Sequence, residues 1–400
     1  MRSLFCNTKM LQIPKKLTAT LLSYIKKTYL PDKRVNPKTA DEFTIHDIKF
    51  FARGVAEMSA YFTSERGSMP KNYLNKKELR AGYLLYFVMS NFLKIGFCLD
   101  EAGAKSRFAN NDVIKIADVG CGPGTGAVAC VDYFKAAGKP LEITAIDQNS
   151  GTLHDAKHIF QTFADKERAR LKTVLLDIHS RNITHSLKEK CDVIIMANFL
   201  SEMKEMDSQS AVVQRAMERL TEKGILIIIE PALRWTTRNL MKLHDLLLSQ
   251  VTIRDSRFAV MAPCLHNAEC PMLRESRRDW CHMYLDWERP RVMGEIDKLI
   301  GNRKDYLKFS YLILSKQIAD YRLPVTDRWR VVSAPMHSKG KTVLVLCGNG
   351  KLLHTTMQDK DLCEKNADYA KTMRGDIVRC ADISNIDKLS EFAIIRSHNG

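Results

Sequence analysis

Three cysteines, Cys264, Cys270 and Cys281, fall within 18 residues at Cys-x5-Cys-x10-Cys spacing, accompanied by Pro263, His266, Pro271 and His282. Soft thiolates gathered on one irregular segment make a metal or iron–sulfur nest in need of a fourth ligand. Cys347 is a good candidate, because it ends an apolar run and precedes Gly348-Asn349-Gly350, a tight turn that would leave its sulfur pointing outward. Four thiolates fit either zinc or a four-iron cluster, and intervals without Cys-x2-Cys knuckles lean towards iron–sulfur. Of the 11 cysteines, Cys98, Cys130 and Cys191 sit in apolar runs and read as core residues, and Cys121 as a small filler. With no signal peptide, a reducing compartment is expected.

A second constellation begins at Asp118. The run Val113–Val119 reads as a buried strand leading into Gly120-Cys121-Gly122-Pro123-Gly124-Thr125-Gly126, with a helix from about Ala127. A strand that turns through glycines into a helix lets a ligand approach the backbone, since no Cβ stands in the way. Residues 122–127 also satisfy Gly-x-Gly-x-x-Ala, so the loop alone leaves a nicotinamide dinucleotide open. The order of acids favours S-adenosylmethionine. Asp118 closes the first strand, Asp147 the second, where it can accept both ribose hydroxyls, and Asp177 the third, near the adenine amino group. That is the order class I methyltransferases use, with Gly120, Gly122 and Gly124 as backbone contacts. Capping of the following helices is the alternative for Asp147 and Asp177.

No catalytic residue is assigned. After the fourth strand stands Asn198-Phe199-Leu200-Ser201-Glu202 in place of an Asn-Pro-Pro-Tyr acceptor. Pro263-Cys264 imitates the nucleophile of pyrimidine C5 chemistry, but it follows the sixth strand and belongs with its neighbouring cysteines.

These residues need a frame. The runs 113–119, 142–147, 173–177, 192–198 and 224–231 are short and apolar, with helix-length segments between them. That rhythm predicts a parallel sheet with helices on both faces, closed by Arg257–Ala262 and Lys308–Leu314 as an antiparallel pair. The expected fold class is α/β, a Rossmann-like class I S-adenosylmethionine methyltransferase sheet. It spans 111–320, with a cysteine-rich metal insert at 263–306, a helical N-terminal region over 1–110 and a small β-rich module over 321–400.

The 400 residues carry 62 basic and 46 acidic side chains, a net +16, and 45% are apolar, which excludes a disordered chain. Residues 1–100 hold a net +9, 101–300 only +1 and 301–350 a further +6. Positive flanks around a neutral middle ask for a polyanion such as nucleic acid. No stretch of about 18 uncharged apolar residues occurs, so no membrane span is expected. The first 31 residues contain six basic residues and no acid, as mitochondrial presequences do, but Leu17, Leu21, Leu22 and Ile25 follow the spacing of an amphipathic helix in the folded body.

Taken in order, Asp118–Gly126, Ala262-Pro263-Cys264-Leu265-His266 with Cys270-Pro271, Trp280-Cys281-His282, Lys308–Ser315 and Arg374-Gly375-Asp376 resemble the small-ribosomal-subunit methyltransferase-like family of bacteria and mitochondria, which includes methyltransferase-like protein 17. Leu79–Leu84 resembles its helical N-terminal part, so the likeness covers most of 70–380. It implies a class I fold, S-adenosylmethionine, a 4Fe-4S cluster on Cys264, Cys270, Cys281 and Cys347, and a role on the small ribosomal subunit and its rRNA during assembly. One departure is Arg374, where the family often has Trp. The resulting expectation is an rRNA-binding assembly factor, monomeric, in the bacterial cytoplasm or alternatively the mitochondrial matrix. An active rRNA methyltransferase and an iron- or redox-sensing RNA-binding protein are the alternatives.

Overall fold

The computed structural model describes residues 10–30, 43–63, 70, 73–178, 186–254, 258–316, 327–381 and 389–396. Nine strands form the main sheet: β1 (Leu11–Gln12), β2 (Ile114–Val119), β3 (Leu141–Asp147), β4 (Ala169–Leu175), β5 (Cys191–Ala197), β6 (Leu220–Pro231), β7 (Ala259–Ala262), β8 (Met283–Glu288) and β9 (Tyr306–Ser315). Their spatial order is β4-β3-β2-β5-β6-β9, with β7 and β8 sharing the outer edge of β9 and β1 beyond β8. Strands β2 to β6 are parallel, and β9 runs antiparallel beside β6. This is the strand order of the class I methyltransferase fold. The order reverses between β2 and β5, which opens a crevice at their carboxyl ends.

Continuous apolar runs produce such strands because both faces are covered. In β6, Ile225, Ile227 and Ile229 enter the core beneath the N-terminal helices, while Leu226 and Ile228 enter the core on the opposite face. Each buried side chain of this kind contributes about 1.5–3 kcal/mol. The helix Lys15–Tyr29 buries Leu17, Leu21 and Ile25 completely, so this part of the basic N-terminal stretch belongs to the folded body; residues 1–9 lie outside the described residues. The segment Lys77–Glu101 is long and apolar enough to cross a membrane by length and composition alone, but 83% of its most apolar window is buried within the protein.

Six further strands, β10 (Arg328–Val331), β11 (Met336–Ser338), β12 (Lys341–Gly348), β13 (Lys351–Gln358), β14 (Ile377–Ala381) and β15 (Glu391–Arg396), form a second sheet. It has its own core around Trp329, Leu344, Leu346 and Phe392. Asn349 and Gly350, both at positive φ, make the two-residue turn that joins β12 to β13.

Ahead of the first helix, Leu11–Gln12 forms a short strand parallel to β8, which its sequence does not announce. The third parallel strand is Ala169–Leu175, so Asp177 stands two residues beyond its end. Within the segment 263–306, Met283–Glu288 forms a strand, β8, that pairs with β9 and extends the main sheet, a pairing the sequence does not announce. A short apolar run reveals a strand but not its pairing, which non-local packing decides.

N-terminal helices, main sheet and second sheet meet at one buried carboxylate. Glu101 accepts the Tyr311 hydroxyl at 2.8 Å from β9 and pairs with Arg330 of β10 at 3.0 Å; the Glu101 and Arg330 side chains are 1% and 5% exposed.

Candidate functional site

The glycine loop is tied to the sheet by its own backbone, with the Gly120 and Cys121 N–H groups donating to the Ile146 carbonyl at 2.8 and 3.0 Å. Gly122, at φ +51°, has open space where a Cβ would stand. Gly126 is the opposite case: a Cβ there would lie 2.5 Å from the Asp118 carboxylate.

Asp118 is buried at the end of β2 and accepts the Ala127 N–H at 3.0 Å. Burial pushes its carboxyl up to about 7; the backbone donors at the start of the next helix lower it, and the neighbouring Asp147 raises it. At the end of β3, Asp147 accepts the Gly122 N–H and the Asn149 N–H, each at 2.8 Å, and the Thr152 hydroxyl at 3.3 Å. Burial raises its carboxyl, and these donors counteract the rise. The cap of the helix Ser150–Phe163 is Asn149, which accepts the Thr152 N–H. Asp147 therefore anchors the loop and does not cap the helix. The Leu176 N–H donates to the Asp147 carbonyl at 2.9 Å and so fixes the chain just before Asp177 beside the end of β3.

Across the crevice, β5 gives way to Asn198, a non-glycine residue at φ +58° whose N–H donates to the Ile229 carbonyl. The next residue, Phe199, lays its ring against Gly120. Tyr83 belongs to the N-terminal helices, yet its hydroxyl feels the charges of Glu202, Asp147 and Asp118; its pKa is raised, first by burial and then by Glu202. Nothing in the spacing of Tyr83 marks it in the sequence, and only the packing of the N-terminal helices brings it to the crevice.

All four predicted cysteines line one cavity of about 60 Å³. Cys264, Cys270 and Cys281 come from the segment after β7, and Cys347 from β12 of the second sheet. Burial raises the thiols of Cys264 and Cys347 well above their ordinary value and that of Cys270 to about 12. In Cys281, burial also raises the pKa, while Arg374 and Arg330 oppose the rise. Both guanidinium groups line the cavity, and they are the residues that cysteine spacing misses. Burial works against the charge of Arg330, but Glu101, Tyr311 and the thiols of Cys281 and Cys264 together outweigh it and raise its pKa; burial lowers that of Arg374. His266 places Nε2 3.9 Å from the Cys347 sulfur. Among the described residues, no group of three or more His, Cys, Asp or Glu side chains could hold a metal ion. The four cysteines thus surround a shared space without the closed ligand set that the sequence led one to expect. Cys98, Cys130 and Cys191 are buried elsewhere, as expected of core thiols.

The model of one protein family, described as mitochondrial small ribosomal subunit Rsm22, matches residues 78–384, more than three-quarters of the chain. The chain belongs to the Rsm22 family. The Rsm22 match takes in the glycine loop, the three acids and all four cysteines. No curated protein matches the chain. Among solved structures it is similar to a protein described as a class I S-adenosylmethionine-dependent methyltransferase of Listeria monocytogenes, at 13% identity and a TM-score of 0.39, covering 78% of this chain and 90% of that one. It is also similar to the N-methyltransferase NodS of Bradyrhizobium japonicum, solved with S-adenosyl-L-homocysteine, at 12% identity and a TM-score of 0.31, covering 55% and 86%. This Rsm22 protein is a methyltransferase-like member of a small-ribosomal-subunit family.

Proposed function

We propose that the protein is an assembly factor of the small ribosomal subunit that binds rRNA, with an S-adenosylmethionine pocket at the glycine loop and an iron–sulfur cluster on Cys264, Cys270, Cys281 and Cys347. The observation that carries this reading is the shared cavity of the four thiols, which joins the main sheet to the second sheet with buried Arg330 and half-buried Arg374 in its wall. Thiolates gathered in a poorly hydrated space need balancing charge, and Arg374 supplies it, because Arg330 is paired with Glu101. A bound cluster would neutralise further thiolate charge and hold the two sheets in register. The donor set is all sulfur, which suits iron–sulfur and zinc alike, and zinc is the alternative occupant.

In the nucleoside pocket, Asp147 would orient the ribose hydroxyls while fixing Gly122, and Gly120, Gly122 and Gly124 would leave room for the cofactor. Asp177 would stand towards the adenine. The rRNA would be gripped by the basic flanks of the chain, and binding would weaken as salt rises, with a slope of about 0.9 per neutralised phosphate on a duplex. The family's mitochondrial description supports the matrix as the location, in place of the bacterial cytoplasm first expected.

Visible absorbance of anaerobically purified protein tests the cluster, because zinc is colourless. Co-sedimentation of the quadruple Cys→Ser variant with small-subunit precursors tests its structural role, and wild-type folding and sedimentation would defeat that role.

A second reading, active rRNA methyl transfer, is favoured by the crevice that Tyr83 shares with Asp118 and Asp147. Asp147→Ala should then erase one methyl mark while ribosome association persists.

A further inference from the structure

A cavity of about 340 Å³ lies between the N-terminal helices and the carboxyl ends of β5 and β6. Ligands of doubly wound sheets bind at these ends. Asn198 lines this cavity, and the next residue, Phe199, lays its ring against Gly120, so the space adjoins the glycine loop. Its volume falls within the lower range of small-ligand pockets.

The wall facing the sheet is aromatic. The chain from Tyr83 to Val88 forms a π-helical turn between the helices Lys77–Gly82 and Met89–Glu101. Such turns are rare and recur at functional sites, because they aim side chains that a regular helix would place elsewhere. Here the rings of Tyr83 and Phe87 stand 5.6 Å apart, and Phe62 meets Phe87 edge-on at 4.9 Å. Phe62 and Tyr83 are only half-buried, which leaves ring surface towards the cavity.

A second wall is cationic. Lys94 is buried, with its ammonium 2.9 Å from the Asn91 side-chain oxygen. Lys304 stands over the rings of Tyr86 and Phe87 at 4.3 and 4.8 Å. Arg303 and Lys308 add two exposed cations, and among the described lining residues Glu202 is the sole acid. Burial lowers Lys304 to about 7, the like charge of Lys94 adds to that, and Asp297 opposes it. Lys94 and Lys304 line the same poorly hydrated space, and an anion bound there stabilises the charge of both.

Ring faces beside clustered cations recognise nucleotides: the base stacks and the phosphate is neutralised. We propose that this cavity takes one unpaired nucleotide of an RNA strand, its base against Phe62 and Tyr83 and its phosphate towards Lys94 and Lys304. Asn198, at the end of β5, faces the same space and offers amide groups to the base edge. The source of the nucleotide rests on the rRNA-binding reading above; the chemistry of the cavity does not.

The test uses the full chain and two probes. One is an RNA hairpin with 4-thiouridine in its unpaired loop, cross-linked and mapped by mass spectrometry. The other is uridine 5′-monophosphate, which lacks the adenosine expected at the glycine loop. The cross-link should fall on Phe62 or Tyr83, and Phe62→Leu and Lys304→Gln should each weaken binding of both probes by about tenfold. Tight RNA binding with cross-links only outside the cavity and unchanged affinity in both variants overturns the cavity and leaves the rRNA reading standing. Uridine monophosphate lost in both variants, with no RNA bound by the wild type, supports the cavity and overturns the rRNA reading. Neither probe binding overturns both.

Discussion

Replacing Arg330 by Met should strand the Glu101 carboxylate, and the cost can be worked from the structure. The pair is 3.0 Å apart, both side chains are almost fully buried, and Arg330 also donates to the Gly375 carbonyl at 3.1 Å. Removing one member of a buried pair costs about 3–5 kcal/mol, because the remaining charge has lost its counter-ion in a medium that solvates it poorly. The Tyr311 hydroxyl, 2.8 Å from Glu101, offsets only part of this. Glu101→Gln in the same chain removes the stranded charge, so the double variant should recover about half the loss. Urea unfolding followed by tryptophan fluorescence is a suitable assay, since Trp329 is buried one residue from Arg330. The loss should appear as a lower midpoint at unchanged slope. A single variant within about 1 kcal/mol of wild type, or a double variant no better than the single, would refute the role given to this pair as the junction of helices, main sheet and second sheet.

Gly126→Ala drives a Cβ into the Asp118 carboxylate and should cost about 1–3 kcal/mol by overpacking; wild-type urea stability together with wild-type S-adenosyl-L-homocysteine binding would contradict this. Asp147→Ala releases Gly122, Asn149 and Thr152 together, so calorimetry should show S-adenosyl-L-homocysteine binding at least about tenfold weaker, and unchanged affinity would remove Asp147 from the pocket. Asp118 carries a carboxyl raised to about 7, so its contribution to stability is fullest below the ordinary carboxylate value and is lost as pH rises through about 7. Thermal unfolding of Asp118→Asn relative to wild type should therefore improve between about pH 5 and about pH 8, and a constant difference would argue against the raised value. Cys347→Ser should abolish visible absorbance as fully as Cys264→Ser does; colour retained by either variant excludes that cysteine as a ligand.

Much of the fold was legible. Buried parallel strands advertise themselves as apolar runs, and the run from Val113 to Val119 followed by four glycines located the loop and Asp118. The Asn349-Gly350 turn was equally plain, because two successive residues at positive φ favour those side chains. Pairing was less legible. Leu11–Gln12 is too short to carry a pattern, and its place beside β8 depends on residues about 270 positions away. The end of β4 lies earlier than the sequence suggests because Leu176 continues the apolar run past the last paired residue.

The sequence by itself determined the chemistry available: three acids at or just beyond strand ends, a glycine loop and four thiols, each set by residue type and local spacing. Tertiary structure decided who meets whom. It brought Cys347 from the second sheet to the three cysteines between β7 and β8, set Arg330 and Arg374 beside them, and used Glu101 to hold the junction. It also folded Phe62, Tyr83 and Lys304 over the carboxyl end of the sheet. Those contacts join residues far apart in the chain, and no local periodicity encodes them; they exist because apolar faces of the helices and sheets can be buried together in this arrangement.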